Sequence, residues 1–349
     1  MALDKNLAYQ KLDALWHDPQ VQALATKGKK YVIISDTHLG DGGKADDFHQ
    51  NEKVLSAALD HYNSAGHILI MLGDIEEFWQ FDLDQIVNRY RDSIYAKIKA
   101  FGDSRLIRLF GNHDLEWQSP ADPAMNNPGK NKGAAEALRM KDAQGNARIL
   151  LVHGHQGSID SDKNSWISKF LVRGLFKPVE PLAKKLGLYG HTEATKSQIT
   201  KDYEKILYGW AKSRKALLIC GHSHRAIFAS KSRVQLLEEE IGALQKEILE
   251  NRDNKTLVKS NLKQIEKSMR KLLDERTKGR EIDPTEKTPL PCYFNTGCGL
   301  YSDGITVMEI ENDTIRLVKW CRKKTAGGKR VDPPYGEGNL SDFVGRLNA

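Results

Sequence analysis

The sequence predicts a layered α/β fold that carries a helical hairpin inserted late in the chain. Three observations predict it. Short apolar runs recur at Tyr31–Ile34, Ile68–Leu72, Leu106–Phe110, Ile149–Val152 and Ala216–Cys220, each of a length suited to a buried strand. Between the first three runs, residues 52–64 and 85–100 have helical periodicity, so strand and helix alternate. Finally, Val234, Leu237, Ile241, Leu244 and Ile248 step by three and four, and so do Val258, Leu262, Ile265, Met269 and Leu272 after the break at Asn251–Asn254.

Taken in order, residues 1–30 hold a leading helix, with Leu7, Leu12, Leu15, Trp16 and Leu24 at helical spacing and Gly28 closing the pattern. Residues 31–232 form the core, with an amphipathic cap at about 160–190. Residues 233–276 form the hairpin, read as a coiled coil whose arms extend roughly 27–30 Å at about 1.5 Å per residue. Either it protrudes to meet a protein partner or another copy, or it packs on the core as decoration. Residues 277–322 supply closing strands from Tyr293 to Trp320, and residues 323–349, rich in Gly, Pro, Lys and Asp, are expected to be poorly ordered or loosely docked. There is no internal repeat.

The 349-residue chain is long enough for a large core, and no apolar run approaches the length of a membrane span. Residues Met1 to Lys30 interrupt their apolar positions with Asp4, Lys5, Asp13 and Asp18, unlike a secretory signal, so a cytoplasmic location is expected, with peripheral membrane contact as an alternative. Cys220, Cys292, Cys298 and Cys321 have no Cys-x-x-Cys spacing, which argues against a disulfide framework or a zinc knuckle. A formal charge of +7 and a pI near 9.0 favour anionic partners, be they phosphorylated small molecules, nucleotides, nucleic acid or acidic lipid surfaces.

The chemistry lies where the strands end. Asp36 and His38 follow the first run, Asp74 the second, Asn112, His113 and Asp114 the third, His153 and His155 the fourth, and His222 and His224 the fifth. Strand ends converge in α/β sheets, so these clusters should meet in one crevice. Carboxylate, amide and imidazole donors suit Mn²⁺, Fe or Zn²⁺, and no cysteine is there to make a soft thiolate site. Alternate positions such as Asp36/His38 and His222/His224 put both side chains on one side of an extended segment.

Asp36-x-His38, Gly73-Asp74, Gly111-Asn112-His113-Asp114, His153-Gly154-His155 and Gly221-His222-x-His224 resemble, in order, the five blocks of the calcineurin-like metallophosphoesterases. The resemblance implies a four-layer α-β-β-α sandwich and two divalent metal ions, Mn²⁺ foremost. It implies that Asp36, His38 and His224 hold one ion, that Asn112, His153 and His222 hold the other, and that Asp74 bridges them. It further implies hydrolysis of a phosphate ester or pyrophosphate by a metal-bridging hydroxide, with His113 protonating the leaving oxygen and Asp114 orienting His113. His155 is assigned to the substrate side or to support of the ligands, and Arg225 either clamps a phosphate or sits on the surface. Glu76-Glu77-Phe78-Trp79 reads as packing and helix-start chemistry, its aromatics able to wall a cleft.

Trp166, Phe170, Leu175 and Leu186 alternate with Lys169, Arg173, Lys177 and Lys184. This stretch is either a pair of core helices or a basic amphipathic cap for an apolar substrate part or a membrane surface. Together with Gly73–Trp79 it is similar to the UDP-2,3-diacylglucosamine pyrophosphatase branch, which carries Arg where this chain has His113; a lipid-linked substrate is one expectation. The alternatives to a phosphoesterase are a catalytically silent partner-binding module and a nucleic-acid-processing nuclease or phosphodiesterase.

Overall fold

In the computed structural model, residues 4–118, 134–142, 144–157, 190–277, 289–322 and 327–349 are described. The amphipathic stretch expected over 160–190 lies outside them up to residue 189. The chain opens with α1 (Lys5–His17), where the Asp4 carboxylate accepts from the Asn6 and Leu7 amides. Its helix stops earlier than the periodicity predicts. Asp18 precedes Pro19, which disfavours a helical Asp18, and the chain turns into β1 (Ala23–Ala25) instead.

The strands that carry the site follow at the expected places: β2 (Lys30–Ile34), β3 (Ile68–Leu72), β4 (Leu106–Leu109), β6 (Ala147–Val152) and β7 (Leu217–Cys220). Sequence reading missed β5 (Ala137–Lys141), which has a single alternation to mark it, and the short β8 (Ala226–Phe228) and β9 (Lys231–Ser232). The closing strands are β10 (Tyr293–Thr296), β11 (Gly304–Glu311) and β12 (Thr314–Arg322).

Two sheets result. One runs β1-β5-β6-β7-β10-β8-β9. The other runs β12-β11-β2-β3-β4, extended beyond β12 by β13 (Gly328–Arg330) and β14 (Gly336–Asn339). Strands β2, β3 and β4 are mutually parallel, and so are β6 and β7. Alternation decides which side chains go where. Tyr31, Ile33, Ile70 and Leu72 join Leu150 and Ile219 in the core shared by the sheets, whereas Val32, Ile34, Leu69 and Met71 face the second core with α2 (Glu52–Ser64). Helices α3 (Leu83–Tyr90) and α4 (Ala96–Lys99) join that second core, and α1 and α5 (Gly190–Arg214) join the first through Leu12, Leu207 and Trp210. The fold is the sandwich of two sheets with flanking helices that the motifs imply.

The hairpin consists of α6 (Arg233–Glu250) and α7 (Lys255–Thr277). Ser232 caps α6 in a capping box with Gln235. The contacts between its helices differ from the expected apolar seam. Asn261 and Gln264 donate to Glu247 and Glu240 at 2.9 Å, and Ser268 donates to Glu240 at 3.0 Å. Ile265 is buried as expected, but Leu262 and Met269 are 54% and 50% exposed.

The expectation of a loose tail is corrected. Beyond 326, β13 and β14 pair with β12, and α8 (Leu340–Asn348) buries Leu340, Phe343, Val344 and Leu347. Glycine and lysine content concealed this because the strand pairing uses backbone groups, and only the last helix has an apolar stripe to read. No helix among the described residues is long and apolar enough to cross a membrane.

Candidate metal centre

Parallel strands point their carboxyl ends the same way, so the loops after β2, β3 and β4 meet those after β6 and β7 at one edge of the sandwich. The loops hold an unusual backbone. Asp36, His38, Asp74, His222 and His224 all have positive φ, between 47° and 67°, a conformation that costs a non-glycine residue about 1 kcal/mol or more. Side chains brace it. The Asp36 carboxylate accepts from the His222 amide at 3.0 Å, and Asp74 accepts from the His113 amide at 2.8 Å. Two glycines are needed for these approaches, since a Cβ at Gly221 would collide with the Asp36 carboxylate and one at Gly111 with that of Asp74.

The predicted ligands are brought together. Asp36, His38 and His224 form one group of possible donors, and Asp74, His153 and His222 another, with donor atoms in each group within 4.8 Å of one another. His224 Nε2 lies 3.3 Å from Asp36 Oδ1, and His153 Nε2 lies 2.9 Å from Asp74 Oδ2 and 4.0 Å from Asp36 Oδ1, so the two groups adjoin. Asn112 Oδ1 is buried with no hydrogen-bond partner, as expected of an atom reserved for a ligand.

Hydrogen bonds fix the imidazoles. His153 Nδ1 donates to the Leu72 carbonyl at 2.9 Å, and His38 Nδ1 donates to Glu77 Oε2 at 2.8 Å. Each therefore turns Nε2 toward the centre. His38 Nε2 then faces His224 Nε2 at 3.1 Å, and His153 Nε2 faces a carboxylate. Lone pairs so opposed require a proton or a cation between them. The electrostatics agree. Burial alone would lower the His153 pKa, but Asp74 and Asp36 push it up to about 10. Burial would likewise raise Asp74, yet His153 and His113 hold it well below the usual carboxylate range. This donor set, with its orphaned amide oxygen, fits divalent cations.

Sequence reading missed Glu77. It is buried, and its second oxygen accepts from His113 Nδ1 at 2.8 Å, so one carboxylate joins a predicted ligand to the predicted acid. Burial would raise its pKa, but His113 and His38 bring it down to about 2. Trp79 stacks on the His113 ring at 4.0 Å and donates to the Asn112 carbonyl at 2.9 Å. The only signal was a carboxylate three residues beyond Asp74, and its neighbour Glu76 has an unrelated part in a buried network with Arg108, Tyr95 and Trp117.

Three expectations change. Asp114 was to orient His113, but its carboxylate accepts from the Gly111 and Ile75 amides at 2.6 and 2.9 Å and so shapes the loop; Glu77 takes the orienting part. His155 is buried with its ring 5.7 Å from that of His153, and burial holds its pKa well below the usual value, so of its two expected parts the position beside the ligands fits and the substrate side does not. Arg225 pairs with buried Glu204 at 3.2 Å, which leaves it neither a lone phosphate clamp nor a bare surface residue.

The family profile for calcineurin-like phosphoesterase matches residues 29–226, more than half of the chain. No curated protein matches the chain. Among solved structures, Vacuolar Protein Sorting 29 from Cryptosporidium parvum is 11% identical, with 90% of this chain and 99% of that chain covered and a TM-score of 0.36. A Vps29 single mutant from Entamoeba histolytica is also 11% identical, with 86% and 98% covered and a TM-score of 0.32.

Proposed function

The chain belongs to the calcineurin-like phosphoesterase family, and from that premise we propose that it hydrolyses a phosphate ester or pyrophosphate bond with the help of two divalent ions, Mn²⁺ foremost. The observation that carries this reading is the pair of adjoining donor groups with an orphaned Asn112 Oδ1 beside them. Asp36, His38 and His224 would hold one ion and Asn112, His153 and His222 the other, with Asp74 shared. When bound, such ions supply hydroxide near neutral pH and polarise phosphoryl oxygens.

The chain's own residues do the rest. Glu77 holds His113 by Nδ1, so Nε2 is the nitrogen that carries a proton to the leaving oxygen. Trp79 fixes the plane of that ring and covers one side of it. Burial would lower His113, but Glu77 and Asp74 raise its pKa to about 9, which keeps it charged beside an anionic substrate. A lipid-linked substrate is supported by the basic, amphipathic composition of residues 160–190 together with the Gly73–Trp79 segment.

The test is a panel of aryl phosphate mono- and diesters, nucleotides and pyrophosphates, with purified protein analysed for its metal content. Turnover should need Mn²⁺ or a similar ion and fall about 10²-fold or more in His113→Ala. Added Mn²⁺ should also raise the melting temperature in a concentration-dependent way, as any ligand specific to the folded state does. Metal-dependent stabilisation without turnover would favour the partner-binding module instead, and neither effect would end the reading.

A further inference from the structure

Among the described residues, the large apolar side chains left exposed are Leu249, Leu262, Met269 and Leu273, at 50–61% exposure, and all four belong to the α6–α7 hairpin. They share one side of it. Leu262, Met269 and Leu273 are seven and four residues apart, one stripe along α7, and Arg276 follows Met269 by seven. Glu238 precedes Leu249 by eleven residues, three helical turns, so both lie on one face of α6. Arg276 and Glu238 form an ion pair, which puts the α6 and α7 stripes on the same side of the hairpin. Gly242, on that same α6 face, has open space where a Cβ would stand and so permits close approach.

The charges of the hairpin are divided by helix, although Glu240 and Glu247 of α6 turn toward α7 and only the remaining acids of α6 can lie on this face. Helix α6 has two cations and five anions, a formal charge of −3, and α7 has seven cations and three anions, a charge of +4. Lys255, Lys259 and Lys263 repeat at intervals of four without an ion pair among the described residues, an arrangement that destabilises an isolated helix. An acidic counter-surface would relieve it.

We propose that this face binds the same face of a second copy of the chain, α6 of each copy lying over α7 of the other. The pairing buries the four exposed side chains and sets the acidic helix of one copy against the basic helix of the next. An anionic membrane or a nucleic-acid strand would meet the basic α7 but be repelled by α6, and the hairpin helices contain no aromatic residue to seat at a lipid interface or stack on a base. Two helices about 10 Å wide and roughly 27 Å long give a footprint of about 540 Å² per copy, at the small end of specific interfaces. The association is therefore weak and salt-sensitive.

Sedimentation velocity on the full chain, up to roughly 10⁻⁴ M, tests this. The expected result is a monomer–dimer equilibrium that weakens with salt, with Leu262→Glu/Met269→Glu raising the dissociation constant at least tenfold while circular dichroism and metal content stay unchanged. Because the mutated residues are exposed, loss of fold should not intervene. A second experiment uses charge exchange. Glu239→Lys/Glu250→Lys and Lys259→Glu/Lys263→Glu should each self-associate less than wild type, and mixing the two variants should restore dimers. A chain that stays monomeric throughout, a dimer indifferent to these substitutions, or vesicles of anionic lipid bound by a monomer through α7 would overturn the proposal. None of these outcomes depends on phosphoesterase turnover.

Discussion

Glu77 and Asp114 are both buried carboxylates near His113, and their hydrogen bonds give them different work. Glu77 accepts from two imidazoles, whereas Asp114 accepts from two backbone amides. Replacing Glu77 by Gln leaves one carbonyl oxygen where two acceptors are needed, so either His38 or His113 loses its anchor. The expected outcome is a fall in kcat/KM of about 10²-fold with folding largely intact, read by steady-state kinetics at matched metal loading. Asp114→Asn should instead cost stability, about 1–3 kcal/mol in urea denaturation, because an amide group turned toward Gly111 or Ile75 leaves a buried N–H unsatisfied. If the two variants exchanged these phenotypes, the assignment of roles would be wrong. Sequence could name the candidate ligand positions because each sits at the end of an apolar run, but it could not tell these acids apart. Their partners lie 36 and 39 residues away in the chain for Glu77–His113 and Asp114–Ile75, and neither distance is written in local periodicity.

At the level of elements, β4 illustrates how the site is held from below. Arg108 on this strand is buried and forms paired bonds to Glu76 at 2.6 and 3.1 Å, while Tyr95 and Trp117 also donate to Glu76. The pair ties β4 to the segment after β3, just beneath the loops of Asp74 and Asn112. Arg108→Met would leave Glu76 buried without its cation, and a loss of about 3–5 kcal/mol is expected, measured by urea unfolding. A loss below ~1 kcal/mol would mean that the carboxylate had simply taken up a proton or found water. Strands such as β2, β3 and β7 were legible because their apolar runs are continuous, as strands buried on both faces require. Arg108, a charge inside one such run, did not disturb the reading because its neighbours Leu106, Ile107, Leu109 and Phe110 are apolar. The hairpin was legible as two helices but not in its rotation. Val258, Leu262, Ile265, Met269 and Leu272 share one narrow stripe, but α7 is rotated so that Asn261, Gln264 and Ser268, on the flank of that stripe nearer Ile265, meet α6 and leave Leu262 and Met269 outside.

Across the whole molecule, the last segment of chain closes the structure in a way composition concealed. Arg330 of β13 donates to Glu309 of β11 at 2.8 and 3.0 Å, and Tyr62 of α2 donates to the same carboxylate at 2.6 Å. Trp320 of β12 in turn donates to the Tyr62 hydroxyl at 3.0 Å, so one buried acid joins a helix and three strands. Burial would raise the Glu309 pKa, but the bonds from Arg330 and Tyr62 bring it below its ordinary value. The direction of the pH effect follows from that depression. The folded chain holds Glu309 ionised more readily than the unfolded chain, whose Glu titrates at about 4.3, so its contribution to stability is complete above that pH and is lost as pH falls through the lower folded value. Glu309→Gln should therefore be less stable than wild type at neutral pH, with the difference shrinking as the pH is lowered below ~4 and the wild-type carboxylate takes up its proton. Urea unfolding of both proteins at several pH values measures it. A difference independent of pH would show that Glu309 acts through shape and neutral hydrogen bonds alone, and a difference that grew in acid would mean that the carboxylate is not held ionised by Arg330 at all.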